Sequence, residues 1–347
     1  MTKVINLGRA KVPLSSITDL TAILTFMRPA NSKAEAAFVK RFVAPLGTTP
    51  DAFGNHWLTI GNAPILWSCH TDTVHKASGT QAIEYGDGFI TTSKGSCLGA
   101  DDGAGVWLMS RMIQAKIPGT YVFHREEEIG GHGSAYVADQ LACMLDGVKF
   151  AIAFDRRGTK DIITHQARGR TASDAFAASL ADALGMGHVG CDMGSFTDTA
   201  NYADIVPECT NLSVGYGREH TGDEYLDVVY LTTLLSHILS ADFTGLECAR
   251  DPAMPDWQDD YRFWDHGAVT GSGGRVAYTS TREDMEDIIR RDPAGVAMFL
   301  KSCGYTETDL NEYLGDCCHV TYQILANVPG RGCGSPGRES PLPRHPA

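Results

Sequence analysis

Short apolar runs alternate with amphipathic stretches along the first two thirds of the chain. Four runs have strand character, at 65–69, 121–123, 150–154 and 212–214. Helical periodicity predicts helices at about 102–116, 171–184 and 223–240. It predicts two more within 16–45, separated by a Pro-Ala-Asn-Ser turn at which Asn31 or Ser32 caps the second. Strands alternating with helices imply crossover connections and a mainly parallel, buried sheet, so the predicted class is α/β. No internal repeat is visible.

The pattern changes after residue 243. Residues 249–280 are rich in Asp, Gly, Pro and Trp and read as irregular. Residues 281–326 read as short helices whose apolar positions, among them Met285, Ile288, Phe299 and Leu310, need a partner surface. The expected organisation is therefore an α/β domain over 15–243, a helical extension packed on it over 244–327, and a disordered Pro, Gly and Arg-rich tail over 328–347.

Composition narrows the function classes. The 347 residues are 43% apolar and 20% charged, a globular balance. With 29 basic against 42 acidic side chains the net charge is −13, which gives no footprint for a phosphate backbone, so no nucleic-acid partner is expected. No apolar window reaches the roughly 18 residues of a membrane span, and the start lacks a secretory signal. Ten cysteines are scattered without a C-x-x-C motif. That usage predicts reduced thiols in a cytoplasmic protein, with neither a disulfide framework nor a cysteine-ligated zinc.

The candidate chemistry sits where strands end. The run at 65–69 leads into His70-Thr-Asp72, that at 121–123 into Glu126-Glu127-Glu128, that at 150–154 into Asp155, and the last toward His220; Asp101 opens the helix after Gly99. In an open parallel sheet the carboxyl ends of the strands line one crevice, so these residues converge. Two histidines with several carboxylates and no cysteine suit a divalent ion, with zinc the usual choice. Each residue also has an ordinary explanation: a polar loop histidine, a solvated Glu run, an Asp that caps a helix. Residue types and placement alone leave both readings open.

Taken together, His-Thr-Asp-Thr-Val at 70–74, Gly-Ala-Asp-Asp-Gly-Ala-Gly at 99–105, Glu-Glu-Ile-Gly-Gly-His-Gly-Ser at 127–134, Asp155 and Gly-Arg-Glu-His-Thr at 217–221 form an ordered set. This set resembles the dizinc exopeptidases, the superfamily of leucyl-type aminopeptidases, tripeptidases and glutamate-releasing carboxypeptidases. The resemblance covers about residues 15–243. It implies a three-layer α/β/α sandwich with a mixed, mostly parallel sheet and two divalent ions, expected to be zinc. His70 and Asp155 would hold one ion, Glu128 and His220 the other, and Asp101 would bridge them. Asp72 would orient the His70 ring and Glu127 would act as general base. The resemblance also implies a cis peptide between Asp101 and Asp102. Many relatives carry a lid domain before the last histidine. Here the stretch from Asp155 to His220 is too short for the rest of the sheet plus a further domain of about 100 residues, so the lid-less aminopeptidase branch is the expected one.

The implied activity is hydrolysis of small peptides, with an aminopeptidase leading. An amidohydrolase acting on N-acyl amino acids is the alternative, and a non-catalytic scaffold of the same fold stands behind both. Arg156, Asp198, Tyr216 and Arg218 are the candidates for substrate contact. Self-association into a homo-oligomer is compatible with this reading, and a membrane partner is not expected.

Overall fold

The structure is a computed structural model that describes residues 4–6, 11–93, 96–166 and 169–254, together with Pro293. Apart from Pro293, all of these belong to one unit of the chain, Met1–Ala268. The helices expected over 281–326 and the tail expected over 328–347 otherwise lie outside the described residues.

Twelve strands and six helices position the site. In chain order the strands are β1 (Thr49–Pro50), β2 (His56–Ile60), β3 (Ile65–His70), β4 (Ile83–Gly86), β5 (Phe89–Thr92), β6 (Gly119–His124), β7 (Phe150–Arg156), β8 (Asp161–Ile163), β9 (Val189–Cys191), β10 (Glu208–Ser213), β11 (Tyr216–Gly217) and β12 (Tyr225–Asp227). The helices are α1 (Leu14–Leu24), α2 (Lys33–Phe38), α3 (Ala100–Gln114), α4 (His132–Gln140), α5 (Asp174–Leu184) and α6 (Val228–Ser240).

The main sheet has eight strands in the order β9-β8-β10-β7-β3-β6-β2-β1. Its centre, β10-β7-β3-β6, is parallel throughout. The edges reverse direction: β8 runs antiparallel to β10, and β2 and β1 form an antiparallel border beside β6. This is the mixed, mostly parallel sheet that the sequence implies. A smaller sheet, β11-β12-β5-β4, lies apart from it.

Side chains alternate between the two faces of the central strands, and both faces are dry. Ile65, Trp67, Tyr121, Phe123, Ile152 and Phe154 pack with the buried sides of α1, α3, α5 and α6. Leu66, Val122, Ala151 and Cys209 pack oppositely with Val137 of α4 and with Tyr202. Such continuous apolar runs are what a parallel sheet covered on both sides requires. Trp67 stacks on Phe154 with ring centroids 5.6 Å apart, tying β3 to β7 across the larger core.

Helix starts follow local capping. Ser32 accepts the Glu35 N–H at 3.0 Å and opens α2, and Ser173 does the same for Phe176 in α5. The segment predicted as helix from 223 begins its helix only at Val228, where Asp227 accepts the N–H groups of Val229 and Tyr230. Residues 225–227 are instead β12, because Leu226 and Asp227 pair with Ile90 and Phe89 of β5. Between Asp155 and His220 the described elements are strands of these sheets, a short ribbon pairing 165–166 with 169–170, α5 and the turn at Asp198–Tyr202. No separate domain stands there among the described residues. The six described cysteines are all free thiols, and no described helix is long and apolar enough to cross a membrane.

Candidate metal centre

The carboxyl ends of β3, β6 and β7 open on one cleft, whose walls include Asp101, Glu127, Glu128, Asp155, Tyr216 and His220. His70 is the last residue of β3 and is fully buried. Asp101 leaves the first turn of α3, where Gly99 is left-handed at φ 70° and the Asp101–Asp102 peptide is cis. Its carboxylate lies between the two histidines, with Oδ1 3.1 Å from His70 Nε2 and Oδ2 3.2 Å from His220 Nε2. Asp155 Oδ1 is 3.5 Å from His70 Nε2, and Glu128 Oε2 is 3.0 Å from His220 Nε2. Two groups therefore form, His70–Asp101–Asp155 and Asp101–Glu128–His220. Within each group the potential ligand atoms lie within 4.8 Å of one another, and Asp101 belongs to both. Glu127 Oε2 stands 3.9 Å from His70 Nε2 and is in neither group. Glu126 turns aside to His132, 3.0 Å away.

A shell of buried polar groups fixes these positions. Asp72 Oδ1 lies 3.4 Å from His70 Nδ1, while the two Asp72 oxygens accept the N–H groups of Glu127 and Glu128 at 3.2 Å each. One carboxylate thus sets both the imidazole and the register of the Glu run. Pairing of β7 with β10 is irregular between Ala153 and Arg156, an interruption that re-aims Asp155. Asn211 holds its backbone on both sides, accepting the Asp155 N–H at 2.9 Å and donating to the Asp155 carbonyl at 2.7 Å. Tyr216 and Thr197 donate to the two Asp155 side-chain oxygens at 3.0 and 2.6 Å. Asp102 accepts the N–H groups of His70 and Gly105. Position 105 must be glycine for this: a Cβ there would strike the Asp102 carboxylate and the Phe154 carbonyl oxygen.

Sequence reasoning missed Glu224. It is 1% exposed and its carboxylate accepts four consecutive backbone N–H groups, those of Leu98, Gly99, Ala100 and Asp101, at 2.7, 3.0, 2.7 and 3.1 Å. It lies in a stretch that reads as helix, and its partners are more than a hundred positions away. Nothing in the local pattern signals it.

The electrostatics are those of crowded acids. Burial, followed by the neighbouring Asp101, pushes the Asp155 carboxyl up to about 7. Burial also raises Glu127 well above the carboxylate range, with Asp155, Asp198 and Glu128 adding to it, and raises Glu128 with Asp101 adding to it. Asp101 moves the other way, because its bonds to His220 and His70 outweigh burial. Hydrogen bonds to Asp101 and Glu128 raise the His220 imidazole to about 11. Burial works against charging His70, but Asp101, Asp155 and Asp72 outweigh it and raise this imidazole well above its usual value. Glu128 Oε1 is buried without a hydrogen-bond partner. Imidazole and carboxylate donors, an excess of negative charge and a buried orphan oxygen together fit divalent cations.

The substrate-contact candidates fare differently. Arg156 lines the cleft, but its guanidinium is engaged by Asp161 at 3.0 Å and by the Met193 carbonyl. Tyr216 lines it too, with its hydroxyl spent on Asp155. Asp198 is buried away from the cleft wall, one oxygen 3.1 Å from His124 Nδ1. Arg218 stands exposed over an adjoining hollow. Two residues not singled out from sequence, Arg157 and Glu219, form a 2.9 Å ion pair in the cleft wall.

No protein-family model and no curated protein matches the chain. Solved structures do. The aminopeptidase PepT of Bacillus cereus aligns over 65% of this chain and 96% of its own, with a TM-score of 0.50 and 16% identity. A tripeptidase from Staphylococcus aureus aligns over the same shares with a TM-score of 0.53 and 15% identity. The TET1 peptidase of Pyrococcus horikoshii aligns over 66% of this chain and 99% of its own, at 0.51 and 15% identity. The chain thus has the fold of solved aminopeptidases and tripeptidases, the fold that the resemblance in its motifs implies.

Proposed function

We propose that the protein is a dizinc exopeptidase that hydrolyses small peptides from the amino end. The observation that carries this reading is the pair of histidine–carboxylate groups sharing Asp101 at the carboxyl ends of parallel strands. The shared fold with aminopeptidases supports it.

In this reading His70 and Asp155 would hold one ion, Glu128 and His220 the other, and Asp101 would contribute to both. Ions held there would supply Lewis acidity, polarising a scissile carbonyl and lowering the pKa of a water. The rest falls to the chain's own groups. Glu127, close to both groups but a member of neither, accepts the proton of the attacking water and returns it to the leaving amine. Asp72 keeps the His70 ring and the Glu127 backbone in fixed relation. Tyr216 and Thr197 leave Asp155 one direction to face.

Metal analysis combined with a screen of aminoacyl amides, tripeptides and N-acyl amino acids tests this. Two zinc ions per chain and turnover that needs a free α-amine are expected. Turnover of N-acyl amino acids alone would replace the aminopeptidase with a deacylase, and a fully loaded but inert protein would leave a scaffold. TET1 assembles into a tetrahedron or a large octahedral shell. On that likeness the proposal includes self-association of this chain.

A further inference from the structure

The four amides that Glu224 accepts belong to the segment Leu98–Asp101, which ends in the one residue common to both ligand groups. Each oxygen takes two neighbouring donors, so the carboxylate spans the whole segment. The segment it spans is irregular backbone, with Gly99 left-handed and Asp101 and Asp102 outside helical dihedrals, so these amides have no helical partners of their own. From the other side the fully buried Arg28 donates to the Gly99 carbonyl at 3.2 Å and to the Thr71 carbonyl at 2.7 Å. The peptide leading to Asp101 is thus gripped by Glu224 through its N–H groups and by Arg28 through a carbonyl. Glu224 follows His220 by four residues, so one loop carries a ligand candidate and fixes the shared aspartate.

We infer that Glu224 is a positioning residue for the two-ion site, setting the place of Asp101 so that it serves both ions at once. This rests on the dimetal reading above. The alternative is an ordinary structural clamp, and the molecule contains one for comparison. Glu208, fully buried at the opposite end of β10, accepts the Ser173 N–H and hydroxyl and the N–H groups of Ala249 and Arg250, at 2.6 to 2.9 Å. It has the same number of donors and no connection to the site.

The test is zinc titration of metal-free wild type, Glu224→Gln, Glu208→Gln and Glu128→Gln, with thermal unfolding measured before and after loading. A glutamine turns its NH₂ toward two of the four N–H donors and breaks that half of the grip. Glu224→Gln should weaken both ions together, by about 10–100-fold as for other groups that orient metal ligands, and should shrink the zinc-induced rise in Tm. Glu128→Gln should weaken one ion, and Glu208→Gln neither while lowering Tm. If Glu224→Gln fails to fold, Glu224→Asp, which keeps the charge but cannot reach all four amides, carries the same expectation. Wild-type protein that binds two ions beside a Glu224 variant with unchanged affinities and a lowered Tm overturns the positioning role alone and leaves Glu224 a structural clamp. Wild-type protein that takes up no zinc overturns the dimetal reading and the positioning role with it.

Discussion

Glu127 and Glu128 are adjacent, yet only Glu128 comes within 3.0 Å of His220, while Glu127 stops 3.9 Å from His70. Substitution separates their roles. Glu127→Gln preserves shape and removes the proton acceptor, so both ions should stay bound while turnover falls by about 10²–10⁴-fold, the usual worth of general acid–base assistance. Glu128→Gln should release one ion and recover part of its activity in added zinc. Bound zinc and turnover measured side by side decide the assignment, and the reverse result would exchange the two roles. Tyr216→Phe should act through Asp155, weakening the ion held with His70 and leaving the other in place, as zinc titration would reveal.

At the scale of elements, the site depends on how closely α3 approaches β7. Gly105→Ala should destabilise the fold by roughly 1–3 kcal/mol, the usual cost of overpacking, and should loosen Asp102 from the His70 N–H; denaturant unfolding and zinc affinity would both register it. These contacts also set the limit of what the sequence could disclose. Strands β3, β6 and β7 were legible because burial on both faces makes them unbroken apolar runs, and the chain at or just after each run supplies His70, Glu127 and Glu128, or Asp155 to the site. Asp101 was legible because it stands at a glycine-flanked helix start. The short strands β8, β9 and β12 were not, because three residues carry no periodicity and their pairing is decided by distant partners. Glu224 and Asn211 were hidden for the same reason: each acts on backbone far away in sequence, and a buried glutamate in a helix-like run has no local mark. Asp198 shows the converse. Its type suggested a substrate contact, and burial against His124 takes it off the cleft wall.

For the whole molecule the excess of buried acids couples stability to pH and zinc. Asp155 and Glu224 are each raised to about 7 in the folded protein, against about 4 for an exposed carboxyl. The metal-free fold therefore holds more protons than the unfolded chain between those values. Through these two groups it should lose stability as pH rises from about 4 to 7. His220, raised to about 11, adds stability that is complete below about 6.5 and is lost only as pH climbs toward 11. Asp101 and Asp72, both lowered, work oppositely and lose their contribution in acid. Zinc bound as proposed would take the place of the bound protons, so its apparent affinity should increase with pH through neutrality and its binding should release protons. Calorimetry in buffers of different ionisation enthalpy measures that release, and zinc binding without it would contradict the assignment of protonated Asp155 and His220.

The central claim is that Asp101 is shared by two ions, and anomalous diffraction from zinc-loaded crystals tests it most directly. Two peaks are predicted, one between His70 and Asp155 and one between Glu128 and His220, with an Asp101 oxygen turned to each. A single peak, or peaks that leave Asp101 unliganded, would contradict the account.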